Sequence, residues 1–495
     1  MSMMRTKSVE QSIAEGDEPE YQLKKSLTAL DLTVFGVGVV IGAGIFTVAG
    51  KAANELAGPA VVLSFIIAAF CCSLAALCYA EFASAIPVSG SAYTFSYASL
   101  GEIIAWIIGW DLLLELMLGA SVVAQGWSAY LGVFLDQLGI TIPESIAYGS
   151  SFDVPAFLLV FVLTVLVSYG IKESMRVNLA LVALKVFIVL FVIVAGLFYV
   201  NKDNYSPFVP DSKPAEGTTD VWKQPLTEWM FGMTPAHFGV AGIMAGASLV
   251  FFAFIGFDVV ATTAEEAENP SRDLPRGIIG SLIICTLLYC GVALVLTGMQ
   301  PYDQIAPSAS LSKAFEAVGQ DGFATLIAAG AVAGLTTVVM TLLIGASRVI
   351  FAMSRDWLLP KGLGVVNPKT GTPLKITAGL GLVIALVAAM TPVGELEYMI
   401  NIGTLSAFFL VSIAVPVLRK KRPDMNRPFK VPFSPFLPIL SALICGYLML
   451  TLPVETWLRF LIWLALGFII YFAYGYHRSR LAQGHTGPAK EKANL

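Results

Sequence analysis

Residues 36–46 read Gly36-Val-Gly38-Val-Val-Ile41-Gly42-Ala43-Gly44-Ile-Phe46, with four glycines in nine residues of an otherwise apolar run. Each glycine weakens a helix by about 1 kcal/mol relative to alanine, so this stretch predicts an apolar helix interrupted near its middle. A second apolar run reads Phe251-Phe252-Ala253-Phe254-Ile255-Gly256-Phe257-Asp258 and is followed by Glu265 and Glu266. An unwound turn exposes N–H and C=O groups that lipid cannot satisfy, so it must face a cavity or a ligand. Gly38 and Gly42 also have the small-xxx-small spacing of plain helix packing. A second interrupted run in register with the first favours paired breaks over packing alone.

The composition around these stretches belongs to a membrane. Hydrophobic residues make up 57% and charged residues 13% of the 495, with mean hydropathy +0.77; water-soluble domains carry roughly 25% charged residues. A formal charge of −4 gives no reason to expect nucleic acid. The six cysteines (Cys71, Cys72, Cys78, Cys285, Cys290 and Cys445) all lie in apolar runs, as small buried hydrophobes rather than disulfides or a metal site. The N-terminus stays polar through Lys25, so no cleavable leader is expected and the first apolar run serves as an anchor.

A crossing helix needs about 20 apolar residues. Such runs predict twelve spans at 28–50, 59–84, 102–133, 153–171, 175–200, 238–265, 276–299, 321–352, 374–392, 396–418, 431–453 and 456–477. With twelve spans both tails share one side. That side and its loops hold 23 of the 30 Lys and Arg residues, including Lys24, Lys25, Lys172, Arg176, Arg272, Arg276 and the cluster Arg419, Lys420, Lys421, Arg422, Arg427 and Lys430. The other side holds six: Lys51, Lys202, Lys213, Lys223, Lys313 and Arg459. This asymmetry predicts both termini in the cytoplasm of a cell held by a plasma or bacterial inner membrane. The chain then divides into a cytoplasmic tail (1–27), spans 1–5 (28–200), an external loop (201–237), spans 6–10 (238–418), a basic cytoplasmic loop (419–430), spans 11–12 (431–477) and a second cytoplasmic tail (478–495).

The two interrupted runs are spans 1 and 6. Five spans apart, they make the second half an inverted copy of the first, the arrangement of an inverted-repeat transporter with its substrate between two broken helices. Free N–H groups and the dipole of the half-helix starting at Gly42, Ala43 and Gly44 suit a carboxylate. Carbonyls near Val40 and at Phe252, Ala253 and Ile255 suit an ammonium. Ile41 and Phe254 complete the two turns, and a zwitterion meets both demands.

Ionisable residues deep in spans are functional candidates. Lys185 lies about ten residues, or roughly 15 Å, into span 5. An amine there can carry a proton in transit, serve as a fixed cation in place of a bound sodium, or form a static ion pair. Glu115, midway along span 3, either meets a cationic substrate or pairs internally. Asp111, one turn earlier on the same face, is expected nearer the cytoplasmic vestibule. Asp258 follows the second break as a gate, a coupling carboxylate or a structural group. Thr336 and Thr337 in span 8 either reach the Lys185 ammonium or bond their own helix backbone. The three histidines (His237, His477 and His485) sit at span ends or in the tail and no HExxH is present, which argues against an enzyme. A channel would more naturally show a pore loop or ring.

These segments resemble the amino acid–polyamine–organocation superfamily, and within it the cationic amino acid transporter family and its bacterial permease relatives. The likeness rests on 36–46, Cys78-Tyr-Ala-Glu81-Phe, Pro87-Val-Ser-Gly-Ser-Ala-Tyr93, Gly109-Trp-Asp-Leu, 251–258, Glu265-Glu-Ala-Glu-Asn-Pro-Ser-Arg272 and the stretch from Arg348 to Leu359, covering about 25–430. The resemblance implies an all-α LeuT-type fold of ten core helices in two inverted halves plus two peripheral ones. It implies carboxylate contacts at Gly42, Ala43 and Gly44, and amine contacts at Val40, Phe252, Ala253 and Ile255. In proton-coupled relatives a lysine stands at the place of Lys185, and Glu115 matches a position tied to cationic amino acids. Ala43 and Leu335 stand where the pattern often has larger or polar residues, and bacterial relatives include carriers of small neutral amino acids. Glu115 therefore does not by itself select arginine or lysine. The expected partners are an amino acid, a proton and membrane lipid, with no cofactor, metal or nucleic acid and no evident soluble partner. The expected function is secondary active amino acid transport by alternating access with proton symport, Lys185 being the proton-coupling residue; the alternatives are uncoupled exchange and, after it, amino acid sensing.

Overall fold

The computed structural model describes residues 5–6, 27–42, 44–86, 91–170, 175–214, 220–232, 236–367 and 372–483. The basic residues Lys24, Lys25 and Lys172 lie outside the described residues, as does nearly all of the 1–27 tail. The chain is predominantly helical: α1 (Ala29–Val40), α2 (Val61–Ala85), α3 (Ser91–Ser99), α4 (Glu102–Gln137), α5 (Val154–Ser168), α6 (Met175–Gly196), α7 (Gly239–Val250), α8 (Pro270–Met299), α9 (Asp321–Arg355), α10 (Leu374–Met390), α11 (Val393–Lys421), α12 (Phe436–Leu450) and α13 (Val454–Ile470). The only strands among the described residues are a two-residue antiparallel pair, Lys213–Pro214 with Ala236–His237. They lie within the stretch expected as an irregular loop, whose other described structure is short turns and the helix Leu226–Phe231.

Eight stretches of the described residues are long and apolar enough to cross a membrane, the first being the 57-residue run Ala29–Ala85. Three shorter apolar helices, α5, α10 and α12, add to these. The helices run past several expected ends: α8 starts six residues before 276, α9 reaches Arg355 and α11 reaches Lys421. Polar and charged residues at helix ends complete the turns there, and an apolar-run reading cannot see them.

Two opposite faces of the helices explain the composition. The long α4 packs along α9 and α11, and α8 packs against α1 and α2, forming one buried core. The outer helices present large apolar side chains to the surroundings: Phe161 and Val165 on α5, Leu382 and Leu386 on α10, Leu443 on α12, and Leu461 and Ile469 on α13. Water would leave these faces uncovered; lipid satisfies them. Five of the cysteines are buried and Cys290 is half-buried, all as free thiols.

Candidate functional site

α1 starts at a capping box in which the Thr28 hydroxyl accepts the Asp31 N–H and the Asp31 carboxylate accepts that of Thr28. It ends twelve residues later, inside the glycine-rich run. Ile41 leaves the helical region, and Gly42 turns its N–H back 2.8 Å to the Val40 carbonyl. Helical structure resumes as a wide π turn, Gly44–Val48. In the second run, α7 tightens to a 3₁₀ turn at Phe251–Phe254. Ile255 then goes extended, and Gly256 takes φ 117, a conformation open mainly to glycine. A further 3₁₀ stretch, Phe257–Glu266, follows.

The two interruptions touch. A Cβ added at Gly44 would overlap the Ala253 backbone, and one added at Gly256 would lie 2.8 Å from Val39 Cγ1. Gly42, Gly44, Ala253 and Ile255 therefore belong to one locus. The fully buried Phe254 packs edge-on to Phe65 and against Tyr289. Ala43 lies outside the described residues, as do the side chains of Glu265 and Glu266.

Side chains from other helices take up the backbone groups the break releases. Lys185, on α6 and 2% exposed, donates from Nζ to the Gly38 carbonyl at 2.7 Å. Its stem lies against Gly334 of α9. A cation at a helix C-terminus meets the negative end of the dipole. Tyr289 on α8 donates to the Val40 carbonyl at 2.6 Å, and Tyr130 on α4 donates to Phe46 O at 2.8 Å. The Val40 carbonyl, expected to receive a substrate ammonium, thus already accepts two hydrogen bonds, from Tyr289 and from Gly42. An ammonium there would have to displace one of them. Neither tyrosine stood out in the sequence, because a buried tyrosine reads as a hydrophobe until its hydroxyl has a partner.

Thr336 and Thr337 donate to Val332 O and Gly334 O within α9. The Thr336 hydroxyl also accepts the Trp127 indole N–H at 3.0 Å, joining α9 to α4. Beyond the first break, Lys51 bonds Glu397 of α11 at 2.9 Å. Both line a cavity of about 130 Å³ with Thr47, Glu55 and Tyr148.

The carboxylate of Asp258 is electrostatically linked to the Asp111 and Glu115 pair of α4. Glu115 interacts electrostatically with both Asp258 and Asp111, and the exposures of Glu115, Asp258 and Asp111 are 2%, 2% and 0%. Asp111 accepts the Ser406 hydroxyl at 2.6 Å. It also lines an apolar cavity of about 590 Å³ between α4, α11, α12 and α13. Both Glu115 oxygens, the Thr404 hydroxyl and the Tyr79 hydroxyl lack a hydrogen-bond partner among the described residues. Thr404 is close enough to bond Glu115 if the side chains turn. Buried polar atoms left in this state are rare in folded proteins and call for an explanation such as a water, a proton or a bound ligand.

Residues 27–474 match the family model described as amino acid permease. The chain belongs to the amino acid permease family. The permease is 45% identical over 491 residues to a branched-chain amino acid permease of Bacillus subtilis, covering 97% of this chain and 99% of that relative. It is 43% identical over 486 residues to a methylthioribose transporter of the same organism, covering 97% and 99%. It is 38% identical over 431 residues to the vacuolar cationic amino acid transporter 4 of Arabidopsis thaliana, covering 86% of this chain and 68% of that relative. The permease is a multi-pass membrane protein of amino acid transport and not an enzyme.

Proposed function

We propose that this permease is a secondary active carrier that holds an amino acid as a zwitterion between the breaks at 40–44 and 252–255 and moves it by alternating access with proton symport. The observation that carries this reading is the contact of Gly44 with Ala253. Two interruptions far apart in sequence meet in the interior, where the amides of one and the carbonyls of the other can serve a single ligand. Backbone recognition of the α-carboxylate and α-amine is common to all amino acids, so the side-chain preference must come from the surroundings. Relatives named for branched-chain and cationic amino acids are both consistent with that division.

Twelve spans of LeuT type, as inverted repeats 28–200 and 238–418, belong to the same proposal. The first long run already contains α1 and α2, and α5, α10 and α12 supply the shorter crossings. With twelve spans and the basic residues concentrated on one side, both termini face the cytoplasm of a plasma or bacterial inner membrane. Lys185 joins the first break to α6 and α9, so a change in its charge would act on the half-helix that carries the site. The Glu115, Asp111 and Asp258 cluster is a second proton station. Glu115 interacts electrostatically with the other two, and buried like charges favour taking up a proton.

The second reading is uncoupled exchange. It is favoured by the close bond between Lys185 and Gly38 O, which suits a permanently charged lysine that only supports the helix end. Uptake of radiolabelled alanine and arginine into proteoliposomes, with and without an inward-directed proton gradient, separates the two. Symport predicts gradient-driven accumulation in the wild type that Lys185→Ala loses. Exchange predicts no response to the gradient in either protein, and uptake only against internal amino acid.

A further inference from the structure

We propose that the basic end of α8 and the loop at 428–429 form a binding site for one anionic phospholipid. Arg272, Arg276, Ile279, Ile283, Pro428 and Phe429 line a groove of about 550 Å³ there. Both arginines are exposed, and neither has a hydrogen-bond or ion-pair partner among the described residues. The nearby Asp273 does not neutralise them. It is buried, and its carboxylate is turned to the Asn269 N–H at 3.3 Å.

The order of residues along the helix matches the order of groups along a phospholipid. Positions 272, 276, 279, 283 and 287 recur at three- and four-residue intervals and share one face of α8. The two guanidiniums stand in the first two turns, where the helix amides also favour an anion. Below them Ile279 is half-buried, and Ile283 and Leu287 are 56% and 69% exposed. From Arg276 to Leu287 the helix rises roughly 16 Å, about half of the hydrocarbon core. That is the depth one acyl chain reaches from a headgroup phosphate held at Arg276.

The opposite wall is pre-formed. The Phe429 N–H donates to the Ser84 hydroxyl at 3.3 Å and the Val431 N–H to Glu81 Oε2 at 2.7 Å. Glu81 in turn receives both arms of the Arg419 guanidinium, at 2.8 and 2.5 Å. The loop is therefore strapped to the end of α2 and does not need to order around the lipid. The charge decides the lipid class: two cations without a partner among the described residues suit a phosphate with no cationic headgroup partner, and a choline headgroup would add a third cation. The groove also bears on the site described above. α8 packs on α1 at this end, with Gly277 against Leu32 and Gly280 against Thr33, and further along it carries Tyr289 to Val40.

The test is native mass spectrometry of the full chain in detergent, titrated with palmitoyl-oleoyl phosphatidylglycerol or with the matching phosphatidylcholine. The proteins compared are the wild type, Arg272→Ala/Arg276→Ala, and the charge-matched control Lys375→Ala/Lys420→Ala at exposed positions outside the groove. A cation beside the headgroup contributes about 1 kcal/mol of anionic-lipid affinity, an effect that fades with distance, so losing both arginines should weaken phosphatidylglycerol binding roughly 30-fold. The control should stay within about threefold of the wild type, with phosphatidylcholine binding unchanged throughout. Arg272→Gln/Arg276→Gln repeats the measurement should the alanine pair fold poorly. Equal weakening in the control, or a wild type that does not prefer phosphatidylglycerol, overturns the site.

Discussion

Lys185 and Glu115 are both ionisable, both 2% exposed and both set in apolar helices, yet they are housed in opposite ways. The lysine reaches a defined acceptor, the Gly38 carbonyl that the first break leaves over, and brings its charge to the negative end of α1. The carboxylate interacts electrostatically with two further carboxylates, and neither of its oxygens has a hydrogen-bond partner among the described residues. An uncompensated buried charge costs several kcal/mol, against about 1 kcal/mol for an ordinary hydrogen bond. The lysine thus ties α6 to the end of α1 in this structure. Under the proposed symport, these carboxylates are where a proton or a cationic group of the substrate would be received.

The contrast depends first on the breaks being in contact. Gly44→Ala should have the largest effect, because its Cβ has no room beside Ala253. Transport is expected to be abolished and stability to fall by at least the roughly 1–3 kcal/mol of ordinary overpacking, read as the melting temperature of the purified protein. An active Gly44→Ala of normal stability would break the account at its base. Lys185→Met comes next. It keeps the stem against Gly334 but orphans the Gly38 carbonyl, at a cost of about 1–3 kcal/mol, and it should remove the response of uptake to a proton gradient.

Glu115→Gln sharpens the comparison from the other side. It removes a buried charge that interacts with two further carboxylates, so stability should hold or rise by up to about 1 kcal/mol. Proton-driven uptake should fall, and inhibition of alanine uptake by arginine should weaken relative to inhibition by leucine. A destabilised Glu115→Gln would show that the carboxylate has a structural partner after all. The smallest effect is expected for Thr336→Val, which removes the acceptor of the Trp127 N–H for about 1 kcal/mol. Uptake should remain near the wild-type level.

The breaks were legible because glycine acts locally: four in nine residues, and Gly256 before Asp258, mark the interruptions in any context. The depth of Lys185 was legible from its distance to the span end. Its acceptor was not, since which carbonyl lies opposite a long side chain is a tertiary matter. The same holds for the carboxylates. Asp111 and Glu115 share a helix face by their spacing, but Asp258 and Tyr79 reach them from other elements, and nothing local records that. Tyr130 and Tyr289 were missed because their role appears only with the carbonyls they cover. The apolar cavity beside Asp111 was not legible either, because α12 and α13, which line it, come far along the chain.

The most direct measurement of the central claim is an experimental structure of the permease with saturating alanine. The account predicts alanine density between the two interruptions, its carboxylate on the amides at 42–44 and its ammonium at the carbonyls of 252–255, with Tyr289 displaced from Val40 if that carbonyl takes part. Density for the amino acid elsewhere, with the Gly44 and Ala253 contact empty of ligand, would contradict it.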